Sequence, residues 1–102
     1  MLELRPNCEM CDRDLPASSA EARICTYECT FCAGCVEAQL YNVCPNCGGG
    51  FVPRPIRPER AHRSGTGLCH HPAGTKRRRM KWDTPDWTAF VAKLRGVPPQ
   101  ER

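Results

Sequence analysis

Apolar positions along the chain fall into two unequal groups, separated by a stretch without periodicity. In the first 52 residues Leu2, Leu4, Leu15, Ile24, Tyr27, Phe31, Val36, Leu40, Tyr41, Val43, Phe51 and Val52 form the set available for a core. Ala22 to Tyr27 has strand character centred on Ile24, and Val36 to Tyr41 reads as a short helix turning Val36, Leu40 and Tyr41 inward. Asp12 to Glu21, with Pro16 and two serines, reads as an irregular loop. Pro53 to Pro58 alternates Pro with Arg or Ile and favours extended polyproline conformation, and Glu59 to Gly74 carries no period. A second apolar stripe, Trp87, Phe90, Val91 and Leu94, recurs at i, i+3, i+4 and i+7. Thr84 fits its N-cap, Pro85 the first helical position, Asp86 the first turn and Gly96 the stop. Eleven residues are too few for a stable isolated helix, so the stripe must dock on the head or on a partner. The expected organisation is a small α+β head over 1–52, a Pro/Arg-rich basic linker over 53–83, and a short amphipathic helix over 84–96.

A head of this size is marginal on hydrophobic burial alone. Its cysteines change that picture. Eight of nine lie within residues 8–47, as Cys8/Cys11, Cys25/Cys29, Cys32/Cys35 and Cys44/Cys47, which makes four two-ligand clips. Two or three intervening residues let both sulfurs of a clip reach one zinc ion at about 2.3 Å, so the four clips suffice for two tetrahedral sites. Cys44-Pro45-Asn46-Cys47-Gly48 reads as a zinc knuckle, with Gly48 supplying a positive φ after the second ligand. A disulfide scaffold would need an oxidising compartment. Met1-Leu2-Glu3-Leu4-Arg5-Pro6 has no charged leader or apolar stretch, and no run approaches the roughly 20 apolar residues of a membrane span. The expectation is a cytoplasmic, reducing setting with zinc as the cofactor. Each structural zinc would supply an apparent binding free energy of about 10–16 kcal/mol, which is also folding free energy.

Charge divides at the same boundary. Residues 1–52 carry three arginines against seven carboxylates, net −4, and residues 53–102 carry twelve basic against four acidic side chains, net +8. Ligation deprotonates the thiols, so the head with two Zn²⁺ falls to about −8. An acidic head is therefore tethered to a basic tail, and the overall +4 conceals both.

The clips can share metals sequentially, in interleaved order, or around a single ion with spare buried cysteines. The order Cys8, Cys11, Cys25, Cys29, Cys32, Cys35, Cys44, Cys47 resembles the RING finger pattern, with Cys29 where the family usually has His. Phe31 before the fifth ligand, Val36 after the sixth, Leu40 in the following helix and Pro45 in the last clip agree with it. The resemblance implies a RING-like, treble-clef cross-brace, with Cys8, Cys11, Cys32 and Cys35 on one zinc and Cys25, Cys29, Cys44 and Cys47 on the other. Only Thr30 and Phe31 separate the Cys29 and Cys32 clips, so sending neighbouring clips to different ions leaves each turn unstrained. The opening Met1 to Glu9, the Arg23-Ile24-Cys25 region, Glu28 to Cys32 and Cys44 to Gly49 are also similar to a short bacterial family catalogued as domain-of-unknown-function family 1272. That likeness implies a bacterial cytosolic source and no particular activity.

Closed four-sulfur sites leave no coordination position for water or substrate, which argues against an enzyme. The expected role is a non-catalytic adaptor binding a protein partner. RING ligases use an apolar residue after the first ligand and a basic residue after the last. Here those positions are Glu9 and Gly48, so ligase-like activity is disfavoured. The alternative is a nucleic-acid-binding regulator, through Lys76, Arg77, Arg78, Arg79 and Lys81 beside Trp82. The bland account of that cluster is a tail folding back on the acidic head. His62, Cys69, His70 and His71 offer a third, weaker ligand group, more simply read as an exposed linker. No membrane partner is expected.

Overall fold

The computed structural model describes residues 1–102. Three short strands, β1 (Ala22–Ile24), β2 (Thr30–Cys32) and β3 (Val52–Pro53), form one antiparallel sheet in the order β2-β1-β3. Ala22 pairs with Cys32 and Ile24 with Thr30 on one side of β1, and Ile24 pairs with Val52 on the other. β2 runs directly into α1 (Ala33–Cys35), which loosens into a π-helical turn over Val36–Leu40. Tyr41 and Asn42 stop that turn in left-handed conformations, at φ 48° and 61°. No helix is long and apolar enough to cross a membrane.

The core lies between the sheet, α1 and the cysteine turns. Phe31 is fully buried at its centre, its ring edge-on to Phe51 at 5.5 Å, with Leu15, Leu40 and Val43 around it. Three members of the expected apolar set are instead exposed: Tyr27 (73%), Tyr41 (42%) and Val52 (60%). Tyr27 sits in the turn between β1 and β2, and Val52 lies on the short outer strand β3. Tyr41 ends the π turn, and its ring takes the Arg95 guanidinium on one face at 3.5 Å, a cation–π contact that an aromatic edge of the surface accommodates.

The helix α2 spans Thr84–Leu94 and lies on the head: Val91 enters the core, with Trp87, Phe90 and Leu94 packed beside it. The stripe is therefore used within the chain. The N-cap is Asp83, not Thr84, because the Asp83 carboxylate accepts the Asp86 N–H at 3.0 Å. The helix stops at Leu94 rather than running to Gly96, and a 3₁₀ turn over Pro99–Glu101 follows.

The segment expected as a linker over 53–83 is tied down at both ends. The division between residues 52 and 53 cuts β3, and Arg54 is buried. Its guanidinium donates to the carbonyl oxygens of Arg5 (2.8 Å), Leu15 (3.2 Å) and Pro16 (3.2 Å), with no carboxylate partner, and burial lowers its pKa. Arg57 donates to the carbonyls of Leu2 (2.8 Å) and His71 (2.7 Å). Residues 74–82 then run as an extended strap along residues 4–10, with Gly74 N–H on Leu4 O (3.0 Å) and Met80 N–H on Glu9 O (2.9 Å). Sequence periodicity misses these ties because each joins a side chain or backbone group to a distant carbonyl.

Candidate metal centre

Each clip is a tight turn closed by its own backbone. Asp12 N–H donates to Cys8 O (2.9 Å) around the first, and Gly48 N–H donates to Cys44 O (2.7 Å) around the last. Gly48 holds φ +81°, as the knuckle requires. Amide hydrogens also point at sulfur: Cys11 N–H at Cys8 Sγ (3.5 Å), Tyr27 N–H at Cys25 Sγ (3.3 Å) and Gly49 N–H at Cys47 Sγ (3.4 Å). Such dipoles stabilise thiolates, the form that ligates metal.

Antiparallel pairing of β1 with β2 carries Cys25 and Cys29 to one end of the hairpin and Cys32 to the other, so neighbouring clips face apart. The sulfurs accordingly assemble in interleaved order. Cys8, Cys11, Cys32 and Cys35 lie with all Sγ atoms within 4.8 Å of one another, as do Cys25, Cys44 and Cys47. Cys29 lies outside that second radius but its thiol interacts with those of Cys25 and Cys44. The Cys11–Cys32 Sγ separation is 3.8 Å. A tetrahedron with zinc–sulfur bonds of about 2.3 Å has edges of about 3.8 Å, so the donor set fits that ion.

Electrostatics within each set make the same demand. Hydrogen bonds from Cys29 and Cys44 hold the Cys25 thiol down to about 3, while the same interactions drive Cys44 far up. In the first set burial works against ionisation of Cys32, yet donors from Cys35, Cys11 and Cys8 leave it lowered. Burial pushes Cys8 and Cys35 up. Within each set the thiols thus push one another's ionisation in opposite directions, and a bound dication would offset the repulsion among four thiolates.

Polar side chains that sequence patterning does not single out brace the first set. Asn7, Glu9 and Thr30 are buried beside it. Glu9 Oε2 accepts from Thr30 N–H (2.6 Å) and Arg5 Nη1 (2.8 Å), and Arg5 Nε reaches Glu3 (2.9 Å). These carboxylates outweigh burial and raise the Arg5 pKa, and Arg5 holds Glu3 below its ordinary value. The only hint in the chain is that Asn7 and Glu9 flank the first ligand.

The basic cluster is largely engaged. Arg77 bridges Asp12 (3.0 Å) and Asp14 (2.6 Å), Arg78 meets Glu3 (3.2 Å), and Arg79 donates to Met10 O (3.3 Å). Lys81 lies 4.7 Å over the Trp82 ring, whose N–H donates to Asn46 (3.0 Å), and Lys76 is exposed. His62, Cys69, His70 and His71 do not converge: Cys69 Sγ points to Thr66 O and the His71 ring to Gly65 O.

The family model described as "Protein of unknown function (DUF1272)" matches residues 1–57. An uncharacterised protein of Rhizobium meliloti is 58% identical over 77 residues, covering 76% of this chain and 84% of the relative. No solved structure matches the chain.

Proposed function

The chain belongs to the DUF1272 family, and we propose that it is a two-zinc, RING-like cross-brace module that serves as a non-catalytic adaptor for a protein partner in the cytoplasm. The observation that carries the reading is the interleaved grouping of sulfurs into two compact sets, each made by two clips of this chain. Cys8, Cys11, Cys32 and Cys35 would hold one zinc, and Cys25, Cys29, Cys44 and Cys47 the other. Bound there, zinc supplies a crosslink and charge neutralisation, not an open Lewis-acid position.

Two other readings have less support. A ligase-like surface would use Glu9 and Gly48. Glu9 is buried and bonded, and a Cβ at Gly48 would lie 3.0 Å from Leu94 and 3.4 Å from Phe90, so α2 covers that site. A nucleic-acid reader would need arginines that are here spent on the acidic head. Elemental analysis giving two zincs per chain, followed by affinity capture of a protein by the zinc-loaded chain, is the expected result. A zinc-free folded chain would end this reading, and a gel shift that persists at raised salt would move it to nucleic acid.

A further inference from the structure

We propose that the acidic face around Asn7 is a receptor for an extended, arginine-rich segment of a partner protein, and that residues 74–82 are its resident, displaceable occupant. This deepens the adaptor reading and rests on it.

The contacts divide into two kinds. Backbone recognition comes from Gly74 N–H on Leu4 O, Met80 N–H on Glu9 O, and a reciprocal pair at Asn7. Asn7 Nδ2 donates to Arg78 O (2.7 Å), while Arg78 N–H donates to Asn7 Oδ1 (3.2 Å). Any extended segment offers those groups. Selection comes from the side-chain seats: Asp12 and Asp14 for Arg77, Glu3 for Arg78, and the Met10 carbonyl with Asp12 nearby for Arg79. Main-chain bonds for affinity and side-chain seats for specificity are how proteins read extended peptides.

Receptor and occupant are unequally built. Asn7 is fully buried and aimed by further bonds from Nδ2 to Asp12 Oδ1 (2.9 Å) and Cys8 O (3.2 Å), so the first metal loop preorganises it. The strap's arginine anchors are weaker by comparison. The Arg77 ion pairs are water-exposed and the Arg78–Glu3 pair is half-buried, and exposed pairs contribute little and are screened by salt. Arg78 Nε is buried with no partner, so this arginine does not fill its seat fully. Backbone bonds and Met80, which packs against the core, seat the strap, and its tether adds a high effective concentration. A partner segment carrying better-placed arginines can therefore replace it, and the acidic head attracts such a segment.

The test uses the zinc-loaded full chain and a fluorescein-labelled peptide of residues 73–83. Arg77→Ala, Arg78→Ala and Arg79→Ala together weaken the strap without touching the receptor. The triple variant should bind the peptide at least about tenfold more tightly than the wild type, with affinity falling as salt rises. Adding Asp12→Asn and Asp14→Asn should abolish the gain. A triple variant with two zincs and ordinary unfolding that binds no better than wild type overturns the proposal. So does a zinc-loaded chain that dimerises through its straps, or binds duplex DNA, without taking up peptide. Should the triple variant misfold, hydrogen exchange of wild type in excess peptide decides instead: the Arg78 and Met80 amides should exchange about fivefold faster, and unchanged rates overturn the idea. Two zincs per chain without peptide binding removes the receptor alone, whereas loss of zinc stoichiometry removes the adaptor reading beneath it.

Discussion

Glu9 and Thr30 are joined twice: Glu9 N–H donates to Thr30 O at 2.9 Å, and Thr30 N–H donates to the Glu9 carboxylate at 2.6 Å. The pair ties the first clip to the strand that carries the third, so the four sulfurs of that set are brought together by buried hydrogen bonds as well as by any metal. Arg5 neutralises the carboxylate at 2.8 Å. Glu9→Ala leaves the Thr30 amide unpaired and Arg5 with Glu3 as its one remaining carboxylate, and should cost about 3 kcal/mol. Glu9→Gln keeps an acceptor for Thr30 and should cost about 1–2 kcal/mol. Urea unfolding of the zinc-loaded variants measures both, and equal costs would mean that the charge is irrelevant.

The interleaved grouping makes a sharp prediction for double variants. Cys11→Ser with Cys35→Ser removes two sulfurs from one set, so one zinc per chain should remain, bound by the Cys25, Cys29, Cys44 and Cys47 group. Cys11→Ser with Cys29→Ser strikes both sets and should leave less than one. Sequential sharing would reverse the two results, and elemental analysis reads the difference directly.

Docking of α2 should be separable from metal binding. Val91→Ala removes two methyl groups from a buried site and should cost about 2 kcal/mol. Gly48→Ala both strains a residue at φ +81° and places a methyl group 3.0 Å from Leu94, so it should lift the helix and raise Trp87 solvent exposure. Both variants should retain two zincs. Tryptophan fluorescence together with zinc counting tests this, and an unmoved emission spectrum in Gly48→Ala would refute it.

Acid should weaken the Glu3 anchor in a defined direction. The Arg5 hydrogen bond holds the Glu3 pKa below 4.5 in the folded chain, so its stabilisation is complete above 4.5 and is lost as pH falls through the lower folded value. Wild type minus Glu3→Gln isolates this effect, because thiol protonation is common to both. The difference should shrink on acidification, and a difference independent of pH would exclude the pairing.

Cysteine positions and the stripe on α2 were readable because both signals are local. A clip needs two residues a few positions apart, and Trp87, Phe90, Val91 and Leu94 repeat with the helix. Burial of Asn7, Glu9 and Arg54 was not readable, because polar side chains normally face water and only their distant partners make the interior acceptable. Tyr27 and Val52 failed in the opposite sense: apolarity marks residues that a core can use, and a sheet this small has little inside to offer. Residues 53–83 read as structureless because a segment held by distant carbonyls, carboxylates and side-chain amides has no period to detect.

The reciprocal bonds between Asn7 and Arg78 join residues 71 positions apart. On a ribosome adding about 5–20 residues per second, the cysteine clips, complete at Cys47, emerge about 1–7 seconds before the strap over residues 74–82. During that interval the acidic face is bare. In that order of emergence the cysteine clips precede closure, so a basic polypeptide nearby can meet the nascent head before its own tail does.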